Sequence, residues 1–233
     1  MRAQPILEQV LKDSRERVRP SLRNPNWLIL HHRRRIVEEG IKRLPAAGLA
    51  VLDVGGRLQP YRSLLGVRVK NYVAIDPRLT PLVNVAAVAE ALPFRNGQFD
   101  LVICTQVLEY LPEPARALEE IRRVLRTGGS ALISAPSVFV RDSDHEYWRF
   151  LPEGLRYLLR DFADVEVIPE GNSVTGLFRT LNVFLISFAR PRFLVPVLAW
   201  TLVPFLNVAG SILEKLGGTG DYFTANFSAW VRK

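Results

Sequence analysis

Cysteine is almost missing from this chain. The single thiol, Cys104, excludes a disulfide framework and any zinc site built from several cysteines. Histidine is also scarce. Three in 233 residues, two of them adjacent, leave little for a histidine-built metal centre, so no metal is expected. No charged n-region followed by an apolar h-region opens the chain, so no secretory signal is read. The expected compartment is the cytoplasm, with a peripheral place at the inner membrane face left open. There is no internal repeat and no low-complexity segment. A dinucleotide site wants G-x-G-x-x-G leading a helix that binds pyrophosphate. After Asp53 the chain reads Val54-Gly55-Gly56-Arg57-Leu58-Gln59, with no third glycine.

What is present is globular: 48% hydrophobic and 23% charged residues, at the length of one α/β domain with at most a modest appendage. The net charge of +8 is unevenly spread, because residues 1–45 hold 11 Lys+Arg against 5 Asp+Glu. Such a basic arm suits an acidic partner: anionic lipid, a phosphorylated substrate or nucleic acid. No aromatic interleaving or nucleic-acid motif accompanies it, so nucleic acid ranks last. A solvated helical extension is the plainer reading. His31-His32-Arg33-Arg34-Arg35 carries the same two readings.

The arm reads as helical pieces broken at Pro20 and Pro25. From Leu49 the pattern changes. LAVLD (49–53) and NYVAID (71–76) are apolar runs ending in an acid, and LVNV (82–85) is a weaker third run. DLVICT (100–105), SALISA (130–135), DVEVIP (164–169) and FSAWVRK (227–233) complete seven expected strands. Between them, residues 113–126 carry Leu118, Ile121, Val124 and Leu125 at helical spacing with a Glu119–Arg123 pair, stopped by Gly128-Gly129. Pro152 opens another helix. Alternating strands and helices imply parallel βαβ units and a sheet covered on both faces. Ligands in such sheets bind beyond the carboxyl ends of the strands, where Asp53, Gly55, Asp76, Thr105 and Gln106 fall. Cys104, inside an apolar strand, reads as buried and inert.

Four segments, VLDVGG (51–56), YVAIDP (72–77), EALPFRNGQFDLVICTQVLEYL (90–111) and EEIRRVLRTGGSALISAP (119–136), resemble in order and spacing the class I S-adenosylmethionine-dependent methyltransferases of the type 11 kind. The resemblance covers roughly residues 49–170 and the last strand. It implies a Rossmann-like seven-stranded sheet, mostly parallel with the last strand antiparallel, and S-adenosyl-L-methionine as cofactor. The methionine end would lie over Gly55 and Gly56 near Asp53, Asp76 would accept the ribose hydroxyls, and Leu92, Thr105 and Gln106 would complete the site. The chain departs from the family pattern at Arg57, where a glycine is usual, at Val88, where an acid is common, and at Tyr110, where a histidine is frequent. Arg57 would either meet the cofactor carboxylate or close the pocket. The N/D-P-P-Y signature for methylating exocyclic amines is replaced by Cys104-Thr105-Gln106-Val107, which leaves an oxygen acceptor. DSDHEYWRF (142–150) resembles a D/H-Y-W-R-F segment of a bacterial subgroup. In it His145 is the candidate general base, and the alternative is a loop histidine beside aromatic residues packed as a lid. Glu109 and Tyr110 either line the acceptor pocket or, for Glu109, favour a helix N-terminus.

Residues 193–213 hold 21 positions without a charge, enough in length to span a membrane. The last strand must return to the sheet, which argues against a single crossing. Helices lying on a membrane face, a greasy lid for an apolar acceptor, and a subdomain packed on the sheet or on a second subunit are the readings favoured, ahead of a true insertion whose hairpin would bury Arg190 and Arg192. The organisation expected is a basic helical extension over 1–45 and a methyltransferase-like domain over 46–233, with a hydrophobic helical insertion at about 174–218. The function expected is O-methylation of a small, lipid-linked or glycan-type acceptor. Its rival is a degenerate methyltransferase fold acting as a membrane-associated scaffold. An anionic membrane surface and a second copy are the remaining candidate partners.

Overall fold

A computed structural model describes residues 3–141, 143–217 and 220–233. Asp142, the first residue of the D/H-Y-W-R-F segment, and position 218, the far bound of the apolar insertion, lie outside the described residues. Two helices, α1 (Ala3–Val18) and α2 (Trp27–Lys42), precede β1 (Leu49–Val54). A single turn, α3 (Arg62–Leu65), leads to β2 (Val69–Ile75), and β3 (Phe99–Thr105), α4 (Pro114–Val124) and β4 (Leu125–Pro136) follow. Next come α5 (Pro152–Leu158), β5 (Ala163–Pro169), the helices α6 (Ser173–Phe188), α7 (Leu194–Trp200) and α8 (Leu202–Leu216), and β6 (Asn226–Arg232).

The six strands form one sheet in the order β2-β1-β3-β4-β6-β5. β1 pairs in parallel with β2 and β3, and β3 with β4, while β6 runs antiparallel between β4 and β5. The doubly covered sheet and the antiparallel last strand match expectation, and the count of seven does not. Residues 82–85 form only an isolated bridge, Ile75 to Val85. The reason is Asn84. Its side-chain Oδ1 accepts from Ala74 N at 2.8 Å and its N–H donates to Ala74 O at 2.9 Å, so one residue satisfies the β2 edge that a strand would have used. Gly128-Gly129 also stops no helix, because β4 starts at Leu125. The pair at the end of α4 is Arg123–Glu120, not Arg123–Glu119. Arg123 also donates to the carbonyls of Leu92 and Phe94, and that reach sets its direction.

Both faces of the sheet are buried, as near-continuous apolar strands require. Leu52, Val102, Cys104 and Ile133 pack toward α4 and α5. Val51, Leu101, Ile103, Leu132 and Trp230 pack toward α2 and α3, with Val18 at the end of α1. α2 is therefore a core helix. Gly40 makes this possible, since a Cβ there would strike the indole of Trp230, whose Nε1 donates to Ile36 O at 3.2 Å.

The basic run on α2 divides. Arg34 pairs with Glu38 at 2.7 Å on the surface side. Arg33 is buried, and its Nε donates to Glu170 at 2.9 Å. Glu170, fully buried just beyond β5, also accepts from Ser134 Oγ of β4 at 2.9 Å and Ser228 Oγ of β6 at 2.6 Å. The solvated reading fails for Arg33. Removing one partner of a buried pair strands the other charge. Arg33→Met should lower unfolding free energy by about 3–5 kcal/mol, read by urea denaturation at pH 7. A loss under about 1 kcal/mol would show that the pair does not hold α2 to the sheet.

Candidate functional site

A cavity of about 590 Å³ opens beyond the carboxyl ends of β1, β3 and β4, within the range of small-molecule sites. Its floor holds Asp53, Gly55, Thr105 and Gln106; Arg57, Glu109, Tyr110 and Phe139 line its walls. Its roof is the arm: Val10, Asp13, Glu16 and Arg17 of α1, Asn24 and Asn26 of the linker, and Arg33 of α2. That α1 closes over the strand ends was not foreseen from sequence.

Local backbone conformation aims this floor. Gly55 follows β1 with φ of +75°, and a Cβ there would strike the Val107 side chain. Gln106 takes φ of +56°, unusual for a residue with a side chain, just past β3. Its amide is anchored, with Nε2 donating to Ser134 Oγ at 3.1 Å, its backbone N to Ser134 O at 2.8 Å, and the Asn226 amide at 3.1 Å. Gly56 serves packing instead, because a Cβ there would meet Ala74 and Asp53.

Asp53 is buried, and Tyr72 OH donates to its Oδ2 at 2.6 Å. Burial pushes its carboxyl up to about 7 against the Tyr72 hydrogen bond, with the charge of Asp76 adding to the rise. Glu109 lies in the 3-10 turn Leu108–Tyr110 and is 2% exposed. Its Oε2 has no hydrogen-bond partner, and burial raises its carboxyl to about 8. Arg33 and Arg149 oppose that rise and Glu146 adds to it. The sequence signal for Glu109 was an acid inside the apolar run TQVLEYL, read as lining the acceptor pocket or as a helix-start acid; the cavity lining holds both Glu109 and Tyr110.

The other expected residues are placed as follows. Asp76 ends β2 outside the cavity lining, with Oδ1 accepting Arg78 N at 2.8 Å in a turn. Leu92 is buried in the core, and its N–H donates to Glu120 Oε2 at 2.8 Å. Val88 is half-exposed. His145 is exposed and does not line the cavity. The segment that follows it docks by backbone, with Tyr147 N donating to Glu109 O at 2.8 Å and Phe150 N to Pro136 O at 2.9 Å. Phe150 is core while Tyr147 and Trp148 are exposed, so these three do not form a lid. Cys104 is fully buried and its thiol is pushed up by burial, which leaves it inert. Among the described residues no cluster of His, Cys, Asp and Glu has the makings of a metal site.

Residues 52–133 match the family model described as a methyltransferase domain. An uncharacterized methyltransferase of Mycolicibacterium vanbaalenii is 31% identical over 100 residues, which are 38% of this chain and 39% of that protein. The match thus spans about two fifths of that relative's length. Among solved structures, the [4+2]-cyclase SpnF superposes with a TM-score of 0.56 at 21% identity, over 85% of this chain and 80% of that one. A SAM-dependent methyltransferase from Archaeoglobus fulgidus gives 0.51 at 14% identity, over 94% and 97%. These likenesses establish the Rossmann-like methyltransferase fold.

The raised carboxyls make stability depend on pH. The folded chain keeps a proton on Glu109 that the unfolded chain releases, so stability falls as pH climbs from the ordinary carboxylate range to about 8. Glu109→Gln removes that loss. Thermal unfolding should show the variant more stable than the parent chain at pH 9, on the order of 2 kcal/mol, and little different at pH 4. Equal stability at pH 9 would mean that Glu109 is not a strained, buried acid.

Proposed function

We propose, from the match of residues 52–133 to the methyltransferase-domain family model, that the chain methylates an oxygen of a small, lipid-linked or glycan-type acceptor. The observation that carries this reading is the Oε2 of Glu109, a buried carboxylate oxygen without a hydrogen-bond partner on a residue that lines the cavity. The donor set also fits S-adenosylmethionine. Asp53 and Glu109 offer two carboxyls to a ligand that brings an ammonium and a sulfonium, and the Gly55 turn opens the backbone beside them.

When bound, S-adenosylmethionine supplies a methyl group already activated by its sulfonium. Asp53 would hold the ammonium, and Gly55, Thr105 and Gln106 would shape the floor beneath it. Asp76, at the end of β2 beyond the cavity lining, would accept the ribose hydroxyls, with Gly56 and Leu92 as packing behind the site. Glu109 takes the proton from the acceptor hydroxyl as the new bond forms, a role that suits a group whose pKa lies near the working pH. His145 lies too far out for that step. The roof formed by α1 excludes water and holds the acceptor in line.

A lipid-linked acceptor draws support from the surface of α6–α8. Leu177, Leu181, Phe184 and Phe188 form an exposed stripe at helical spacing on α6, joined by Phe193 before α7 and Phe205 on α8. Leu194–Leu216 is apolar and long enough to cross a membrane by length and composition, yet α8 is tied down inside the fold. Asn207 meets the Asn182 amide at 2.9 Å and the Leu22 carbonyl at 2.8 Å, and Glu214 meets His32 at 2.9 Å. Arg190, Arg192 and Lys215 flank the apolar face. Such a face would suit helices lying on an anionic surface, where each basic residue adds about 1 kcal/mol.

Three measurements check this reading. Titration calorimetry should detect S-adenosylhomocysteine binding in the micromolar range. Silence at millimolar concentration would favour the scaffold reading. In turnover with an accepted substrate, kcat/KM should rise with pH and level off near 8, and Glu109→Gln should lower kcat roughly 100-fold or more and abolish that limb. An unchanged pH limb would remove Glu109 from the chemistry. In vesicle sedimentation, the protein should bind anionic vesicles well above neutral ones, and replacing Phe188, Phe193 and Phe205 with serine should release it. Indifference to lipid would return the α6–α8 face to packing.

A further inference from the structure

The cavity's roof carries a charge for which, among the described residues, no counter-ion is in contact. Arg17 of α1 lines the cavity near the last turn of the helix. Among the described residues, neither a hydrogen bond nor an ion pair reaches its guanidinium. Burial and the nearby guanidiniums of Arg33 and Arg57 hold its pKa below the ordinary arginine value. Arg57, in the loop after β1, lines the same cavity, and its side chain also has no ion pair. Arg33 is committed to Glu170.

The acids of the roof are engaged elsewhere. Glu16 accepts from Ser21 N and Asn24 Nδ2, each at 3.3 Å, and Asp13 accepts from Gln9 Nε2 at 2.8 Å. Crowding guanidiniums in a part-buried cavity without counter-charges is costly. The arrangement becomes favourable when an anion enters, because the planar fork of arginine matches the paired oxygens of a carboxylate or phosphate. The position is opposite the acids on the floor. Asp53 and Glu109 face a cationic donor, and the roof is left to face an anion on the other reactant.

We propose that Arg17, with Arg57 beside it, forms an oxyanion-receiving subsite in the roof of the cavity that takes a phosphate or carboxylate group of the methyl acceptor. The identity of the ligand as acceptor rests on the methyl-transfer reading, whereas the subsite itself does not. The arm then has a function in recognition as well as in closure, since α1 brings Arg17 to the cavity.

The test is a calorimetric titration of the full chain with inorganic phosphate, with malonate and, separately, with S-adenosylhomocysteine. The parent chain should bind at least one of the two anions. Arg17→Gln should weaken that binding at least tenfold, and Arg17→Lys, which keeps the charge but loses the fork, by several-fold. Affinity for S-adenosylhomocysteine should change by less than twofold. Preference for phosphate or for malonate identifies which oxyanion the subsite takes. The proposal is overturned if the parent binds neither anion at tens of millimolar, or if Arg17→Gln binds the anion as well as the parent. It is also overturned if the substitution weakens S-adenosylhomocysteine as much as the anion, which would assign Arg17 to the donor. If the anion binds through Arg17 while S-adenosylhomocysteine does not bind, the subsite stands and the methyl-transfer reading falls. Should Arg17→Gln fail to fold, Arg17→Lys carries the same comparison.

Discussion

The buried pair between Arg33 and Glu170 fixes everything above the sheet. Glu170 sits just past β5 and accepts hydrogen bonds from serines of β4 and β6, so one carboxylate joins three strand ends to a helix 137 residues away in sequence. A fully buried carboxylate is tolerated only when its oxygens are satisfied. Here an arginine and two hydroxyls satisfy it. With α2 held in that place, the linker at Asn24–Asn26 lies over the strand ends and α1 folds back across them. The cavity exists because the arm is anchored from below.

The cavity's charge distribution follows from that placement. Its floor carries Asp53 and its wall Glu109, acids whose pKa values burial has raised to about 7 and about 8. Its roof belongs to the arm and carries guanidiniums. Charges part-buried in such a cavity are screened less than charges on the open surface. Two reactants of opposite local charge would then be oriented with little motion of the protein, which is the main requirement of an in-line methyl transfer. The apolar face of α6–α8 lies beside the same linker, because Asn207 of α8 bonds the Leu22 and Asn24 carbonyls. An acceptor held at a lipid surface would meet the cavity from that side.

Much of this was legible in the sequence. β1, β3 and the core of β4 read correctly from apolar runs, since both faces of a parallel sheet are buried and the pattern is nearly continuous. The antiparallel β6 was legible as the final apolar segment. The run 82–85 misled because hydrophobicity does not reveal that Asn84 replaces a ladder with its own side chain. Of the floor, Asp53, Gly55, Thr105 and Gln106 were readable from their places at strand ends. Asp76 and Leu92 were placed correctly in the chain but stand outside the cavity lining, each with part of its polar valence already used by a neighbour. Arg17 was not singled out, and Glu109 was read as lining the acceptor pocket or as a helix-start acid, not as a buried one. What marks them is burial without a partner, and that quantity depends on contacts between residues far apart in sequence. Arg33 was hidden in the same way inside a run of basic residues.

Asp53 is the residue whose state most directly reports whether the floor receives a donor's cationic group. Around it stand Tyr72, which donates to Oδ2, and Asp76, whose charge raises it further. With its carboxyl near 7, it is part protonated at neutral pH, and a bound ammonium would hold it ionised. The decisive measurement is calorimetric titration of S-adenosylhomocysteine at pH 7 in buffers of different ionisation enthalpy, for the parent chain and for Asp53→Asn. The expected result is binding coupled to release of a fraction of a proton, with the release lost in the variant. Binding without proton release, or no binding at all, would contradict the placement of the donor's cationic end at Asp53.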